Sequence, residues 1–138
     1  MSSKIYLYGD SIIDNGSYVN GPDVASQLQA LMPDYHIYKW AEDGAVTKDV
    51  SGFQFGLSTH DYNLESNDKI VISAGGNDAL RMEHMLDASV SKVSDAFDLC
   101  SPALEQFQSD YEEMIFELSQ IGINSLHNVR VCTIYNKI

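Results

Sequence analysis

Tyr8-Gly9-Asp10-Ser11-Ile12-Ile13-Asp14 follows directly on the apolar run Ile5-Tyr6-Leu7-Tyr8, and this junction decides how the chain is read. An apolar run that ends in Gly-Asp-Ser reads as a strand delivering a hydroxyl onto a tight turn. In an open α/β sheet, chemistry is done at the carboxyl ends of the strands. Gly9 allows the sharp backbone path, and Ser11 then stands at the mouth of the next helix, where backbone N–H groups point outward. Such a place suits a nucleophile whose carbonyl adduct develops negative charge. Asp and Ser also serve as ordinary helix caps, so the motif alone does not decide between the two.

Two further segments shift the balance. Tyr35-His36-Ile37-Tyr38-Lys39-Trp40 reads as a second strand and runs into Ala41-Glu42-Asp43-Gly44-Ala45-Val46-Thr47. Lys69-Ile70-Val71-Ile72-Ser73-Ala74 reads as a third and runs into Gly75-Gly76-Asn77-Asp78. In a parallel sheet the loops that follow the strands lie on one edge. Ser11, the Gly44 backbone and the Asn77 side chain are therefore expected together. Ser11 supplies a nucleophile, while its own amide, the Gly44 amide and the Asn77 carboxamide supply three oxyanion donors.

Gly9-Asp10-Ser11, Gly44 and Gly75-Gly76-Asn77-Asp78 resemble, in order and spacing, the first three blocks of the GDSL/SGNH hydrolase superfamily. Ile134-Tyr135-Asn136 resembles the end of that family's fourth strand. The resemblance covers essentially the whole chain. It implies a flavodoxin-like three-layer α/β/α sandwich with a mostly parallel sheet, spatial order 2-1-3-4-5, and hydrolysis of short acyl esters, thioesters or acetylated sugars. Carried over by position, Ser11 is the nucleophile, Ser11, Gly44 and Asn77 form the oxyanion hole, and Gly9, Asp10, Asp14, Gly75, Gly76 and Asp78 support them. No metal or organic cofactor is implied.

One departure is serious. The family's fourth block is an Asp-x-x-His that supplies the general base and its orienting carboxylate. Here the residues three positions before the four histidines are Pro33, Leu57, Arg81 and Asn124. The chain reads as one domain over 1–138 holding four of the family's five strands, an N-terminal portion that is either truncated or a divergent short form. Topology sends His36, His60 and His127 to the opposite edge of the sheet, too far for the hydrogen bond a base must make. His84, seven positions past Asn77, is the candidate substitute base, set against a plain reading as a solvated histidine beside Glu83.

Composition narrows the class. The 138 residues suffice for one domain with a real core. Hydrophobic content of 44% and charged content of 20% are those of a globular chain. Twenty acidic residues against eight basic ones give a net charge of −12. That balance argues against nucleic acid and anionic membranes as partners, since phosphate binding needs clustered Lys and Arg. No signal peptide or membrane-spanning segment is read, so the expected address is cytoplasmic. Cys100 and Cys132 have no metal-site spacing and are expected as free thiols.

Helix signals alternate with the strands, as in a mostly parallel sheet. Pro22 suits a first helical turn, Val24, Leu28 and Leu31 form an apolar stripe, and Pro33 stops it. The stretch from Thr47 to Ser58 fits no period, because Val50, Phe53, Phe55 and Leu57 match neither helix nor strand. Leu86, Val90, Val93 and Phe97 are compatible with a helix, part of which reads as a loop over the active edge. The clearest helix is Pro102 to Ile121, with Ser101 as N-cap, Gly122 past its end, and a stripe of Leu104, Phe107, Tyr111, Met114, Ile115, Leu118 and Ile121. Val129 to Tyr135 reads as the fourth strand.

Two rival readings and one partner expectation remain. Asp10, Asp14, Asn77 and Asp78 form an oxygen-rich group of the kind that holds a hard divalent cation, as in phosphoryl-binding flavodoxin-like domains. Alternatively the chain binds acyl ligands without turning them over, its oxyanion hole intact and its base absent. A fourth strand left at the edge of the sheet invites pairing with a second copy, hence a homodimer.

Overall fold

The computed structural model describes residues 3–58, 64–121 and 128–133. Four strands, β1 (Ser3–Gly9), β2 (Tyr35–Lys39), β3 (Lys69–Ser73) and β4 (Val129–Val131), form one sheet in the order β2-β1-β3-β4. Every pairing is parallel. This is the flavodoxin-like α/β arrangement expected, with β1 in the interior because it is buried on both faces. Ile5 and Leu7 point to one side with Ile13 and Ala41, while Tyr6 and Tyr8 point to the other with Val50, Phe55, Met114 and Leu118. The strand period of two thus divides one apolar run between two cores.

Helix α1 (Val24–Leu31) covers the first face. Asp23 caps it, accepting the Ser26 N–H at 2.9 Å and the Ser26 hydroxyl at 2.6 Å. The expected stripe needs one correction. Ala25, Leu28 and Met32 pack on the sheet, whereas Leu31 is 79% exposed. Residues 25, 28 and 32, spaced three and four apart, share the inner face.

The second face is covered by the stretch that fitted no period, together with α5 (Val93–Gln120). Residues 47–58 are helical, as α2 (Thr47–Asp49), a π-helical turn (Val50–Gln54) and α3 (Phe55–Ser58). The Phe55 N–H bonds to the Val50 carbonyl five residues back, and that widened turn brings Val50, Gln54 and Phe55 all to the sheet side. A 3.6-residue template fails here because the helix itself departs from 3.6.

Helix α5 begins nine residues before the expected start. The Asp95 carboxylate accepts the Lys92 N–H at 3.1 Å and opens the helix there. Pro102 therefore lies inside it rather than in its first turn, and the Ser101 hydroxyl donates back to the Phe97 carbonyl at 2.7 Å instead of capping. Met114 and Leu118 are fully buried, with Tyr111, Ile115 and Ile121 beside them. Leu104 stands outside that packing, 55% exposed.

Between β3 and α5 the chain forms α4 (Gly76–Arg81) and a 3₁₀ turn at Glu83–Asp87 rather than one longer helix. Leu86, Val90, Val93 and Phe97 are all exposed, so they do not form a buried stripe. Gly122 and residues 134–135 of the expected fourth strand lie outside the described residues.

Candidate active site

The carboxyl ends of β1, β2 and β3 meet at one edge, and the backbone there takes a positive φ at three glycines. Gly9, Gly44 and Gly75 have φ of 134°, 83° and 107°. At Gly9 the requirement is also steric, because a Cβ would overlap the backbone of Ser73 on the neighbouring strand. The chain therefore passes β3 at closest approach and turns at once into Asp10 and Ser11.

Asp10 is buried beneath that turn. Its Oδ1 accepts the Ile12 N–H at 3.0 Å and the Ser73 hydroxyl at 3.4 Å, and its own N–H donates to the Ser73 carbonyl at 3.1 Å. Burial pushes its carboxyl above the ordinary 3.8 against the pull of these bonds. Asp10 holds the turn and leaves Ser11 partly exposed.

Ser11 and Asn77 line one cleft of about 450 Å³. Asp10 and Gly76 form its floor, and Ile12, Leu80, Met82 and Leu86 make an apolar wall. Gly44 lines a neighbouring hollow of about 280 Å³ with Glu42, Asp43 and Ala45. The two are linked, since Asn77 Nδ2 donates to the Ala45 carbonyl at 2.9 Å. The structure thus brings Ser11 and Asn77 together and sets Gly44 next door, with one of the two Asn77 N–H bonds already engaged.

The remaining carboxylates tie the loops to one another. Asp78 Oδ2 accepts both the Thr47 N–H and its hydroxyl at 2.9 Å, joining the β3 loop to α2. Asp14 accepts the Asp43 N–H at 2.9 Å and pairs with Lys39 at 2.6 Å, joining the β1 loop to the β2 loop. Lys39 reaches Asp23 as well, at 3.1 Å, and the Tyr18 hydroxyl donates to Asp43 at 2.8 Å. These side chains are directed at separate partners. Among the described residues no three His, Cys, Asp or Glu side chains converge as a metal site.

His84 is not among the residues that line the Ser11 cleft. It lines an adjoining hollow with Asp87 and with Leu80, Glu83 and Leu86, which also line the cleft, and its Nδ1 lies 2.8 Å from the Arg81 carbonyl. His36 is exposed near the start of β2, in register with Lys4 at the far end of β1. His60 and His127 lie outside the described residues. Cys100 and Cys132 are free thiols.

Sequence reasoning missed Gln54. It is 1% exposed and spans the back of the turn that carries Ser11: Oε1 accepts the Gly9 N–H at 2.7 Å, and Nε2 donates to the Gly9 carbonyl at 2.8 Å. Only the π-helical turn brings it there, and no periodicity marks that turn in the sequence.

No family model matches the chain, and no curated protein does. Solved structures with the same backbone arrangement do exist. The extracellular lipase from Streptomyces rimosus superimposes with a TM-score of 0.55 at 19% identity, over 94% of this chain and 58% of that one. The fold is that of the GDSL/SGNH hydrolases. A lipolytic protein of the G-D-S-L family from Veillonella parvula matches with a TM-score of 0.50 at 16% identity, over 94% of this chain and 76% of its own. Phospholipase A1 from Streptomyces albidoflavus NA297 matches at 0.50 and 21% identity, over 95% and 58%. This chain therefore spans little more than half the length of the two Streptomyces enzymes.

Proposed function

We propose that this protein is a serine hydrolase of the SGNH type that cleaves ester bonds through an acyl-enzyme on Ser11. The observation that carries the reading is the shared cleft of Ser11 and Asn77, residues 66 positions apart at the ends of two neighbouring strands. The Ser11 hydroxyl attacks the acyl carbon and its proton passes to a general base. The oxyanion is held by the Ser11 and Gly44 N–H groups and by Asn77 Nδ2, which exchanges or shares its bond to Ala45. Collapse expels the alcohol, and water then releases the acid. Of short acyl esters, thioesters and acetylated sugars, the apolar wall of Ile12, Leu80, Met82 and Leu86 favours the first.

The test is intact-mass labelling with a fluorophosphonate. Stoichiometric adduct in the wild type and none in Ser11→Ala supports an activated serine. A second reading rests on the geometry of His84, which is turned to the Arg81 carbonyl. With no histidine among the described residues on the cleft, the protein binds acyl ligands without turnover. Absence of adduct, together with Ser11 and Asn77 amide shifts on titration with a short-chain fatty acid, would select that reading.

A further inference from the structure

β2 runs beside β1 only as far as Lys39, which is opposite Leu7. The Trp40 and Ala41 N–H groups then both donate to the Leu7 carbonyl, at 2.8 and 3.0 Å, and the Glu42 N–H reaches the Gly9 carbonyl at 2.9 Å. Through this bend β2 peels away and presents no carbonyl to the Gly9 N–H. A buried backbone donor without a partner is costly, and this one lies two residues before Ser11. Gln54 fills the position. A carboxamide carries an acceptor and a donor side by side, so one side chain grips both the N–H and the carbonyl of Gly9.

The grip has a particular source. The π-helical turn at Val50–Gln54 adds the reach that brings residue 54 to the sheet while keeping Val50 and Phe55 buried on either side of it. Phe55 in turn packs edge-to-face on Tyr8, with ring centroids 4.9 Å apart, which fixes the turn's position along β1. Asp10 holds Ser11 from below through Ile12 and Ser73, and Gln54 holds it from behind through Gly9.

We propose that Gln54 is a positioning residue for Ser11, its carboxamide standing in for the missing strand neighbour so that the Ser11 hydroxyl and N–H keep their aim on the cleft. This rests on Ser11 being the nucleophile, and the test separates the two. Gln54→Leu keeps the volume and removes both hydrogen bonds. Gln54→Glu keeps the acceptor and regains the donor only when protonated. Asp68→Ala serves as the control for simple destabilisation, since Asp68 is buried at the opposite end of β1, where it accepts the Lys4 N–H at 2.7 Å.

Two measurements are made on folded protein: amide exchange by NMR and the rate of fluorophosphonate labelling. In Gln54→Leu the Gly9 amide exchanges faster while Leu7 and Tyr8 are unchanged, and labelling slows by about tenfold or more, as small misplacements of reacting groups do. Labelling of Gln54→Glu recovers towards the wild type as pH falls and the carboxyl takes up its proton. Asp68→Ala lowers the melting temperature without changing the labelling rate. Unchanged Gly9 exchange in Gln54→Leu overturns the proposal, as does a labelling loss matched by Asp68→Ala. Failure of the wild type to label overturns the nucleophile reading instead; the Gly9 exchange rate and the Ser11 amide shift in Gln54→Leu then decide whether the brace sets the turn.

Discussion

Asp10 and Asp23 are both carboxylates near the active edge, yet their surroundings drive their titrations in opposite directions. Burial raises Asp10, so its charged form weakens the fold at neutral pH. That cost is lifted as pH falls through its raised value towards 3.8. Asp23 is held to about 2, first by the Ser26 hydroxyl, then by the Ser26 N–H and by Lys39. Its contribution is complete above 3.8 and disappears as pH drops towards about 2. Asp14 behaves as Asp23 does, with the Lys39 hydrogen bond as the leading cause. Urea midpoints followed against pH should show Asp10→Asn equal to or more stable than the wild type at pH 7, with the gap closing in acid. Asp23→Asn should be less stable at pH 7 and converge with the wild type near pH 2. Parallel curves for the two variants would contradict these environments.

At the scale of elements, the site is held by cross-links between loops. Asp78 to Thr47, Asn77 to Ala45 and Asp14 to Asp43 each join segments 29 to 32 residues apart. Strand ends supply the positions, and these bonds hold the loops in place relative to one another. Helix α5 is the element least reconciled with local rules. Pro102 cannot donate to the Asp98 carbonyl and crowds the preceding turn, while Val93, Phe97 and Leu104 beside it remain exposed. The second half of the helix, anchored by Met114 and Leu118, carries it. Pro102→Ala should therefore stabilise the protein by about 1–3 kcal/mol, read as a higher thermal midpoint. A decrease would mean that the proline shapes a contact on which the first half depends.

For the molecule as a whole, β4 flanks the described sheet and Val131 is 41% exposed. We propose that this edge pairs with a second copy. A net charge of −12 on each chain opposes that approach through solvent, so the dimer should strengthen as salt screens the repulsion. Light scattering across protein concentration at low and high ionic strength checks this. A monomer under every condition would show the edge to be protected. Among the described residues no helix is long and apolar enough to cross a membrane.

Much of the fold was legible because its signals are local. An apolar run ending in Gly-Asp-Ser fixes a strand and a turn, and Gly9 is required there by both φ and the closeness of Ser73. The parallel order followed from strands alternating with helices, and the meeting of Ser11 with Asn77 followed from that order. What the sequence left open depended on contacts between distant residues. The π-helical turn has no period to detect, and Gln54 matters only because β2 bends away from Gly9. Pro102 lies inside a helix because Asp95, seven residues earlier, opens it at Lys92 and the packing of Met114 and Leu118 holds it. Sequence by itself determined which strands form and which residues stand at their ends. Tertiary structure decided which loops are cross-linked, which side of α1 and α5 is buried, and what grips the serine turn, since hydrogen bonds and burial at those points exist only once the sheet has brought remote segments within a few ångströms of each other.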